Sequence, residues 1–130
     1  MYGEVLQAVR TLAISYATPY TTIDVGSTPS ANGLAMYLGA GAPDAEDMNR
    51  GSRNTIFITL NGKDADQQKI VTTLSAIHKA LNRLKDFPAG ADWEILNIKT
   101  SAAPGYIEQE SSGQWLYGSI LTVEFYLKGV

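Results

Sequence analysis

The most regular hydrophobic pattern in the chain lies in residues 115–130, WLYGSILTVEFYLKGV. Every second side chain is large and apolar, and Ser119 is the one interruption. Alternation with a period of two is typical of a strand that buries one face and exposes the other. The pattern therefore predicts a long final strand with an apolar side and a side of mixed polarity. The apolar set is Trp115, Tyr117, Leu121, Val123, Phe125 and Leu127.

Two segments carry apolar residues at the three- and four-residue spacing of an amphipathic helix. Residues 2–16 form the first predicted helix and residues 64–85 the second. Asp64 is the predicted N-cap of the second helix, with Gln67 as its capping-box partner, because a carboxylate accepts hydrogen bonds from free N–H groups of the first turn. The predicted buried stripes are Val5, Val9, Leu12 and Tyr16 in the first helix, and Ile70, Leu74, Ile77, Leu81 and Leu84 in the second. We expect the second stripe to face the apolar side of the final strand.

The remaining segments predict short strands, the turns between them and one long loop. Residues 39–53 combine three glycines, a proline, three acidic side chains and two arginines, so they predict an irregular loop. Strands linked by short turns, with helices grouped apart from them, indicate an α+β fold in a single domain, residues 1–130. We expect a mainly antiparallel sheet covered by two main helices. The predicted shorter strands are 21–25, 34–38, 54–61, 93–100 and 106–109, and the predicted turns are 26–33, 62–64, 102–105 and 110–113.

Composition and charge narrow the functional classes. A chain of 130 residues suits one domain. It contains no cysteine, so disulfides and thiolate metal sites are excluded. Its formal net charge of −3 lacks the basic excess of a general nucleic-acid binder. No apolar run approaches the roughly 20 residues of a membrane-spanning helix, and the first residues lack the basic and apolar segments of a signal peptide.

The sequence offers few candidates for catalysis or cofactor binding. His78 is the only histidine, and catalysis would need a nucleophile and an orienting acid that the sequence does not supply. Gly39 and Gly41 lack the further glycine, or the Gly-Lys-Ser/Thr, of nucleotide-binding loops. The aromatic residues of the last strands fit a packed sheet better than a stacking platform for single-stranded nucleic acid.

The acidic residues of the 39–53 segment allow two interpretations. Asp44, Glu46 and Asp47 could hold Ca²⁺ or Mg²⁺ through carboxylate oxygens, but their spacing is not that of an EF-hand. Charged contacts with Arg50 and Arg53, or with their counterparts on a neighbouring subunit, explain the segment better. We therefore expect no metal site and no bound cofactor.

Five segments have a characteristic order and spacing. They are AMYLGAG at 35–41, TIFITLNGK at 55–63, DQQKIVTTLSAI at 66–77, WEILNIKTSAAPGYI at 93–107 and WLYGSILTVEFYL at 115–127. Through these segments, over roughly residues 34–128, the chain resembles the small minor capsid and tail-completion proteins of long-tailed phages, which overlap with the tail terminators that join head and tail.

The resemblance implies a non-enzymatic structural protein of a phage or prophage virion with a tail-terminator-like fold. Such proteins self-associate into a ring, typically a homohexamer, at the head–tail junction. The ring ends polymerisation of the tail tube and contacts the tail tube protein and the head connector. The implied location is the virion, after assembly in the bacterial cytoplasm, with no membrane and no specific nucleic acid as partner.

A ring of identical subunits needs two different complementary patches, because its contacts are heterologous. One candidate patch is the 39–53 segment, and the other is the mixed side of the final strand. The candidate contact residues are Asp44, Glu46, Asp47, Arg50 and Arg53 in the first patch, and Glu124, Tyr126 and Lys128 in the second. The sequence also allows two other functions: a small soluble module that binds an apolar ligand or peptide between helix and sheet, and a hydrolase that uses the acidic segment.

Overall fold

The fold is an α+β arrangement of two helices and one mainly antiparallel sheet, as predicted. The computed structural model describes residues 2–17, 19, 23–26, 32–39, 42–46, 52–84, 87, 89–90, 92–111 and 113–127. For strand β3, the structure describes the backbone alone. The elements in chain order are α1 (Tyr2–Ala17), β1 (Ile23–Val25), β2 (Gly33–Leu38), β3 (Ala42–Glu46), β4 (Ser52–Asp64), α2 (Gln67–Asn82), β5 (Trp93–Gln109) and β6 (Trp115–Leu127).

The final strand, β6, lies inside the sheet between β4 and β5. The strand order is β1-β2-β4-β6-β5, and β3 also pairs with β4. Strands β1 and β2 are parallel, and the other pairs are antiparallel. β4 and β6 pair without a register shift from Ser52↔Leu127 to Asp64↔Trp115. Because the register is constant, each of these two strands keeps the same face toward the helices along its whole length.

Both helices pack on one face of the sheet. Helix α2 lies against β4, β5 and β6, and α1 lies against α2 and β2. The predicted stripe of α2 is confirmed, since Ile70, Leu74, Ile77 and Leu81 have no exposed surface. Leu84 lies beyond the end of the helix and is partly buried against the core. The strand side chains that are fully buried beneath the helices include Leu34, Met36, Ile58, Leu60, Ile98, Leu121 and Phe125.

The buried face of α1 differs from the predicted one. Val5 and Val9 are fully buried, as expected, but Tyr16 is 61% exposed. Eleven residues at 100° each return Tyr16 to nearly the same side of the helix as Val5. Tyr16 therefore lies on the predicted side of the helix. It stays exposed because the part of the core that covers Val5 does not extend as far as Tyr16. Leu6 and Ala13 complete the buried side of the helix.

The predicted start and N-cap of α2 were also wrong. β4 continues through the predicted turn at 62–64, and α2 begins at Gln67. The N-cap is Asp66, whose side chain accepts a hydrogen bond from the Gln68 N–H at 3.0 Å. The predicted cap, Asp64, instead accepts from the Asp66 N–H at 2.9 Å. The capping box with Gln67 was therefore wrong, because Gln67 is the first helical residue.

Gly62 has a packing role inside β4. A Cβ atom at this position would lie 2.6 Å from Ile70 Cγ2 and 3.1 Å from Leu34 Cδ2. These separations are shorter than ordinary van der Waals contact, so the glycine lets the first turns of α2 approach the sheet closely. Gly62, which predicted a turn, instead marks a close crossing of helix and strand.

β5 is one long edge strand, where the sequence predicted two strands and a turn. It runs over 17 residues from Trp93 to Gln109. Its register against β6 shifts four times, including on both sides of Ala102. Pro104 and Gly105 therefore lie within an irregular edge strand, because an edge strand tolerates bulges and a missing N–H.

The predicted irregular loop at 39–53 is wrong for the part that the structure describes. Residues 42–46 form β3 and residue 52 opens β4, and the two strands pair from Ala42↔Thr55 to Glu46↔Ser52. A register shift between Pro43 and Ala45 marks the proline position. Residues 40–41 and 47–51 lie outside the described residues.

Two hydrogen bonds attach α1 to both edges of the sheet. Trp93 Nε1, at the start of β5, donates to Glu4 Oε2 at 2.7 Å. Arg10 Nε donates to the carbonyl oxygen of Ile23 in β1. Within the described residues, neither helix has the length and apolarity to cross a bilayer.

Replacing Gly62 by alanine should destabilise the fold. The new Cβ would meet the β-branched side chain of Ile70 at 2.6 Å, and overpacking of this kind costs about 1–3 kcal/mol. Urea unfolding followed by circular dichroism measures the change. Gly105→Ala is the matched control, because the nearest atom to its Cβ is 3.9 Å away. Equal losses in the two variants would contradict this account of Gly62.

The Trp93–Glu4 hydrogen bond should appear as a coupling energy in a double-mutant cycle. Trp93→Phe and Glu4→Ala each remove one partner of a contact between residues 89 positions apart. We expect a coupling of about 1 kcal/mol by urea unfolding, since hydrogen bonds contribute of that order. A parallel cycle of Trp93→Phe with Glu94→Ala should show none, because successive side chains on a strand point to opposite faces. Equal coupling in both cycles would rule out the assigned contact.

Candidate functional site

The face of the sheet opposite the helices is a candidate surface, and we call it the open face. It is covered near the β5–β6 turn, where Asn61, Lys63 and Leu116 are buried. It carries the residues that alternate with the core, which are the odd-numbered positions of β4 and the even-numbered positions of β6. Two aromatic side chains stand out on it, since Tyr37 is 37% exposed and Phe57 is 38% exposed. An antiparallel sheet can present such a face to water or to a partner.

The strand register produces a shallow hollow on the open face. One row of residues across the sheet is small, because Ala35 lies opposite Asn61, Asn61 opposite Gly118, and Gly118 opposite Gly105. The next row is bulkier and includes Tyr37 and Ile120. The hollow has a volume of about 320 Å³. Its lining residues are Tyr37, Thr59, Asn61, Ala102, Gly105, Tyr106, Ile107, Gly118, Ser119 and Ile120.

Gly118 allows one side of the hollow to form. A Cβ atom at position 118 would lie 2.7 Å from Ile107 Cδ1 and 2.7 Å from Asn61 Oδ1. The Ile107 side chain of β5 therefore lies over the backbone of β6 at the glycine. Ile107 is 51% exposed, so it adds an apolar rim to the hollow.

A partly buried ion pair fixes the β5–β6 turn beside the hollow. Lys63 Nζ lies 2.7 Å from Glu110 Oε1, and the two side chains are 7% and 32% exposed. Lys63 is opposite Leu116 in the register, which puts it on the open face. A buried ammonium group needs a close carboxylate to offset the loss of water. The pair therefore holds the turn against β4.

The structure brings three of the eight predicted contact residues together. Arg53 is paired in register with Tyr126, and Glu124 follows two positions earlier on the same face of β6. Arg53 is exposed, whereas Glu124 and Tyr126 are half-buried. Glu124 Oε1 lies 3.4 Å from Lys99 Nζ, and Lys99 is 60% exposed. An ion pair of this exposure is weak, so this corner of the open face carries charges that a partner can reach.

The other five predicted contact residues are described in part or not at all. Asp44 and Glu46 belong to β3, whose Ala45 is in register with Arg53. The backbone of that strand is thus adjacent to the predicted corner. The remaining three residues, Asp47, Arg50 and Lys128, lie outside the described residues, and their role stays a prediction.

The most exposed apolar residues of the open face were not among the predicted contacts. Phe57 had a usable signal, because it alternates with the apolar Ile56 and Ile58 in the predicted strand 54–61. Tyr37 gave none, since four consecutive residues of β2 are buried and no alternation marks its exposed side. Ile107 required knowledge that β5 continues past Pro104.

His78 lies in the contact between α2 and the sheet. It is 4% exposed, and its Nδ1 is 2.8 Å from Thr100 Oγ1 of β5. Asn82 Nδ2 donates to the same hydroxyl at 2.8 Å. Burial lowers the pKa of His78 below its usual value. The geometry gives this imidazole a packing role in the helix–sheet contact.

The described residues contain no group of three or more His, Cys, Asp or Glu side chains that could hold a metal ion. The side chains of Asp44, Glu46 and Asp47 are not among those described. The expectation that this acidic segment binds no metal therefore stays a prediction.

Comparison with known proteins gives a likeness of fold. Neither a family model nor a curated protein matches the chain. Its structure is similar to that of a chain from the virion of a native gene transfer agent (GTA) particle, with a TM-score of 0.59 and 12% sequence identity. The match covers 94% of each chain. The shared feature is therefore the fold, over nearly the whole length of both chains.

Proposed function

We propose that the protein is a non-enzymatic structural subunit of a phage-like virion, of the tail-terminator or minor capsid type. The observation that carries the proposal is the fold likeness to a virion chain over 94% of both chains. The resemblance of residues 34–128 to tail-completion proteins points in the same direction. In this role the subunits form a ring, a homohexamer, at the head–tail junction and end polymerisation of the tail tube.

The open face suits a protein that works by contact with other proteins. It spans the central strands of the sheet and presents Tyr37, Phe57 and Ile107 to solvent beside a shallow hollow. Exposed apolar and aromatic groups that are grouped on one face favour an interaction surface. The charged corner at Arg53, Glu124 and Lys99 continues the same face and would supply polar contacts at its rim.

A ring requires a second, different patch on each subunit. We assign this patch to the 39–53 segment, which carries Asp44, Glu46, Asp47 and Arg50. Lys128, which follows β6, belongs with the open-face patch in this proposal. The further partners are the tail tube protein on one side and the head connector on the other. Assembly would take place in the bacterial cytoplasm, and the finished location would be the virion.

The alternative is a small module that binds an apolar ligand or peptide. The space between helices and sheet is filled by side chains with no exposed surface, such as Ile70, Leu74 and Phe125. A ligand would therefore have to bind in the hollow of about 320 Å³ on the open face. Self-association of the purified protein separates the two functions, because a ligand-binding module does not need to form rings.

Charge on the open face should abolish ring formation. In the double variant Tyr37→Glu, Phe57→Glu, two side chains that are 37% and 38% exposed become carboxylates. The fold should survive because both positions already reach water. Light scattering and electron microscopy should show rings for the unmodified chain and monomers for the double variant. Buried charge at an interface that excludes water costs several kcal/mol, which is enough for this loss.

Val71→Glu is the matched control, because Val71 is 37% exposed on α2, on the other side of the sheet. This variant should form rings like the unmodified chain. Unchanged rings in the double variant would exclude the open face as the interface. A chain that stays monomeric at every concentration would contradict the ring itself.

Two arginines at the proposed contacts, Arg50 in the 39–53 segment and Arg53 at the charged corner of the open face, should contribute a salt-dependent part of the association. Arg50→Glu, Arg53→Glu should weaken ring formation, and more strongly at low ionic strength, because exposed charge pairs are screened by salt. Sedimentation velocity at two salt concentrations measures the effect. Lys79→Glu, Arg83→Glu changes the net charge by the same amount at exposed positions of α2 and should have no effect. Equal weakening by both pairs would assign the effect to net charge.

A further inference from the structure

A single buried histidine joins α2 to the edge strand β5. His78 is the only histidine of the chain, and it is 4% exposed. Its Nδ1 lies 2.8 Å from Thr100 Oγ1, and Asn82, one turn later on α2, donates to the same hydroxyl at 2.8 Å. Its other nitrogen, Nε2, is enclosed and has no hydrogen-bonding partner among the described residues. Two side chains of the helix thus converge on one hydroxyl of the strand.

The contact favours a neutral imidazole over a protonated one. A neutral ring has one N–H donor and one acceptor nitrogen, whereas a protonated ring has two N–H donors. The Thr100 hydroxyl can accept from Nδ1. A second N–H on Nε2 would carry positive charge into a buried region without an acceptor, and that arrangement is strongly unfavourable.

Among the described residues, no charged group around the contact offsets this cost. Burial alone lowers the pKa of His78. On α2, Lys79 and Arg83 are exposed and carry the same charge as a protonated imidazole. On β5, Lys99 belongs to the opposite face, where it pairs with Glu124.

The charged groups of the other packed elements are also engaged elsewhere. On α1, Glu4 accepts from Trp93 and Arg10 donates to the Ile23 carbonyl. On β4, Asp64 accepts from the Asp66 N–H at the start of α2, and Lys63 pairs with Glu110 at the far side of the sheet. Among the described residues, the imidazole therefore has no hydrogen bond or ion pair with a carboxylate that would stabilise its charged form.

Thr100 marks the place where β5 leaves the helix layer. The register against β6 shifts between Thr100 and Ala102. From Trp93 to Thr100, β5 contains three buried and two half-buried residues, whereas from Ser101 to Gln109 every residue is exposed except the half-buried Pro104. The His78 contact is therefore the last point at which α2 holds β5 before its exposed half begins.

We propose that the His78–Thr100–Asn82 contact is an acid-sensitive latch, which releases the second half of α2 from β5 when His78 is protonated. Release loosens the exposed half of β5, since this edge strand pairs with β6 alone in the sheet and loses its hydrogen bond to α2. The sign follows from linkage. Because the pKa of His78 is lower in the folded chain than in the unfolded chain, the unfolded chain binds more protons between the two values. The contact stabilises the fold fully above pH 6.5, the ordinary histidine value, and this contribution is lost as the pH falls below it.

The unmodified full chain tests the latch directly. With one histidine, the imidazole Hε1 proton gives a single resonance whose titration NMR follows without ambiguity. We expect a midpoint below 6.5. In the same pH range, amide exchange corrected for its intrinsic rate should accelerate in residues 74–82 and 95–109, while the central β4–β6 amides keep their protection. A midpoint at or above 6.5, or a titration without faster exchange in these segments, would overturn the proposal.

Two variants separate the latch from general acid destabilisation. In the unmodified chain, the unfolding constant from urea titration should rise roughly threefold or more between pH 7.5 and pH 5 beyond the rise seen in His78→Gln, which cannot be protonated. Asn82→Ala keeps the titratable ring and should remain acid-sensitive. An equal rise in the unmodified chain and His78→Gln would overturn the latch. If His78→Gln does not fold, the titration and exchange of the unmodified chain decide the question.

Discussion

The unbroken pairing of β4 with β6 is the constraint on which the rest of the structure depends. Side chains on a strand alternate between faces, so a shift of one residue would exchange the core side for the solvent side. The register from Ser52↔Leu127 to Asp64↔Trp115 contains no such shift. It therefore sets two surfaces at once: the apolar face that receives the helices and the open face that does not. Gly62 belongs to the same constraint, because it lets α2 cross at the one end of β4 where Ile70 reaches the sheet.

The shape of the open face depends more on the strand register than on the hydrophobicity of its single residues. Single exposed aromatic residues such as Tyr37 or Phe57 are ordinary on protein surfaces. Here the pairing aligns a row of small residues beside a row of larger ones, so that a hollow forms and the exposed Ile107 becomes its rim. A protein that acts by assembly needs surfaces of this kind, with an apolar centre and charges at the edge. The corner formed by Arg53 and Glu124 supplies such an edge.

The parts of the fold that follow from periodicity were predictable, and the parts that depend on tertiary neighbours were not. The alternation in β6 and the stripe of α2 report burial directly, so both were correct. Glycine marks a freer backbone, and proline marks a restricted backbone without an N–H. A chain uses these residues in turns, close crossings and bulges alike. Gly62 and Pro104 were assigned to turns because the crossing helix and the edge position are invisible in the sequence. For the same reason the mixed side of β6 led to Glu124 and Tyr126, whereas Tyr37 and Ile107 required the strand pairing.

Strand β5 lies at the edge of the sheet and contributes side chains to both of its faces. An interior strand is held by two neighbours, but β5 pairs with β6 alone, and bulges interrupt even that pairing. Its position therefore depends on the side chains that reach it from α2, and the last of these contacts is at Thr100. Beyond that point the same strand carries Ile107 over Gly118 on the open face. A change in the helix contact would thus move the rim of the hollow on the other face. In this fold, an event in the helix layer reaches the proposed assembly surface through an edge strand that pairs with β6 alone.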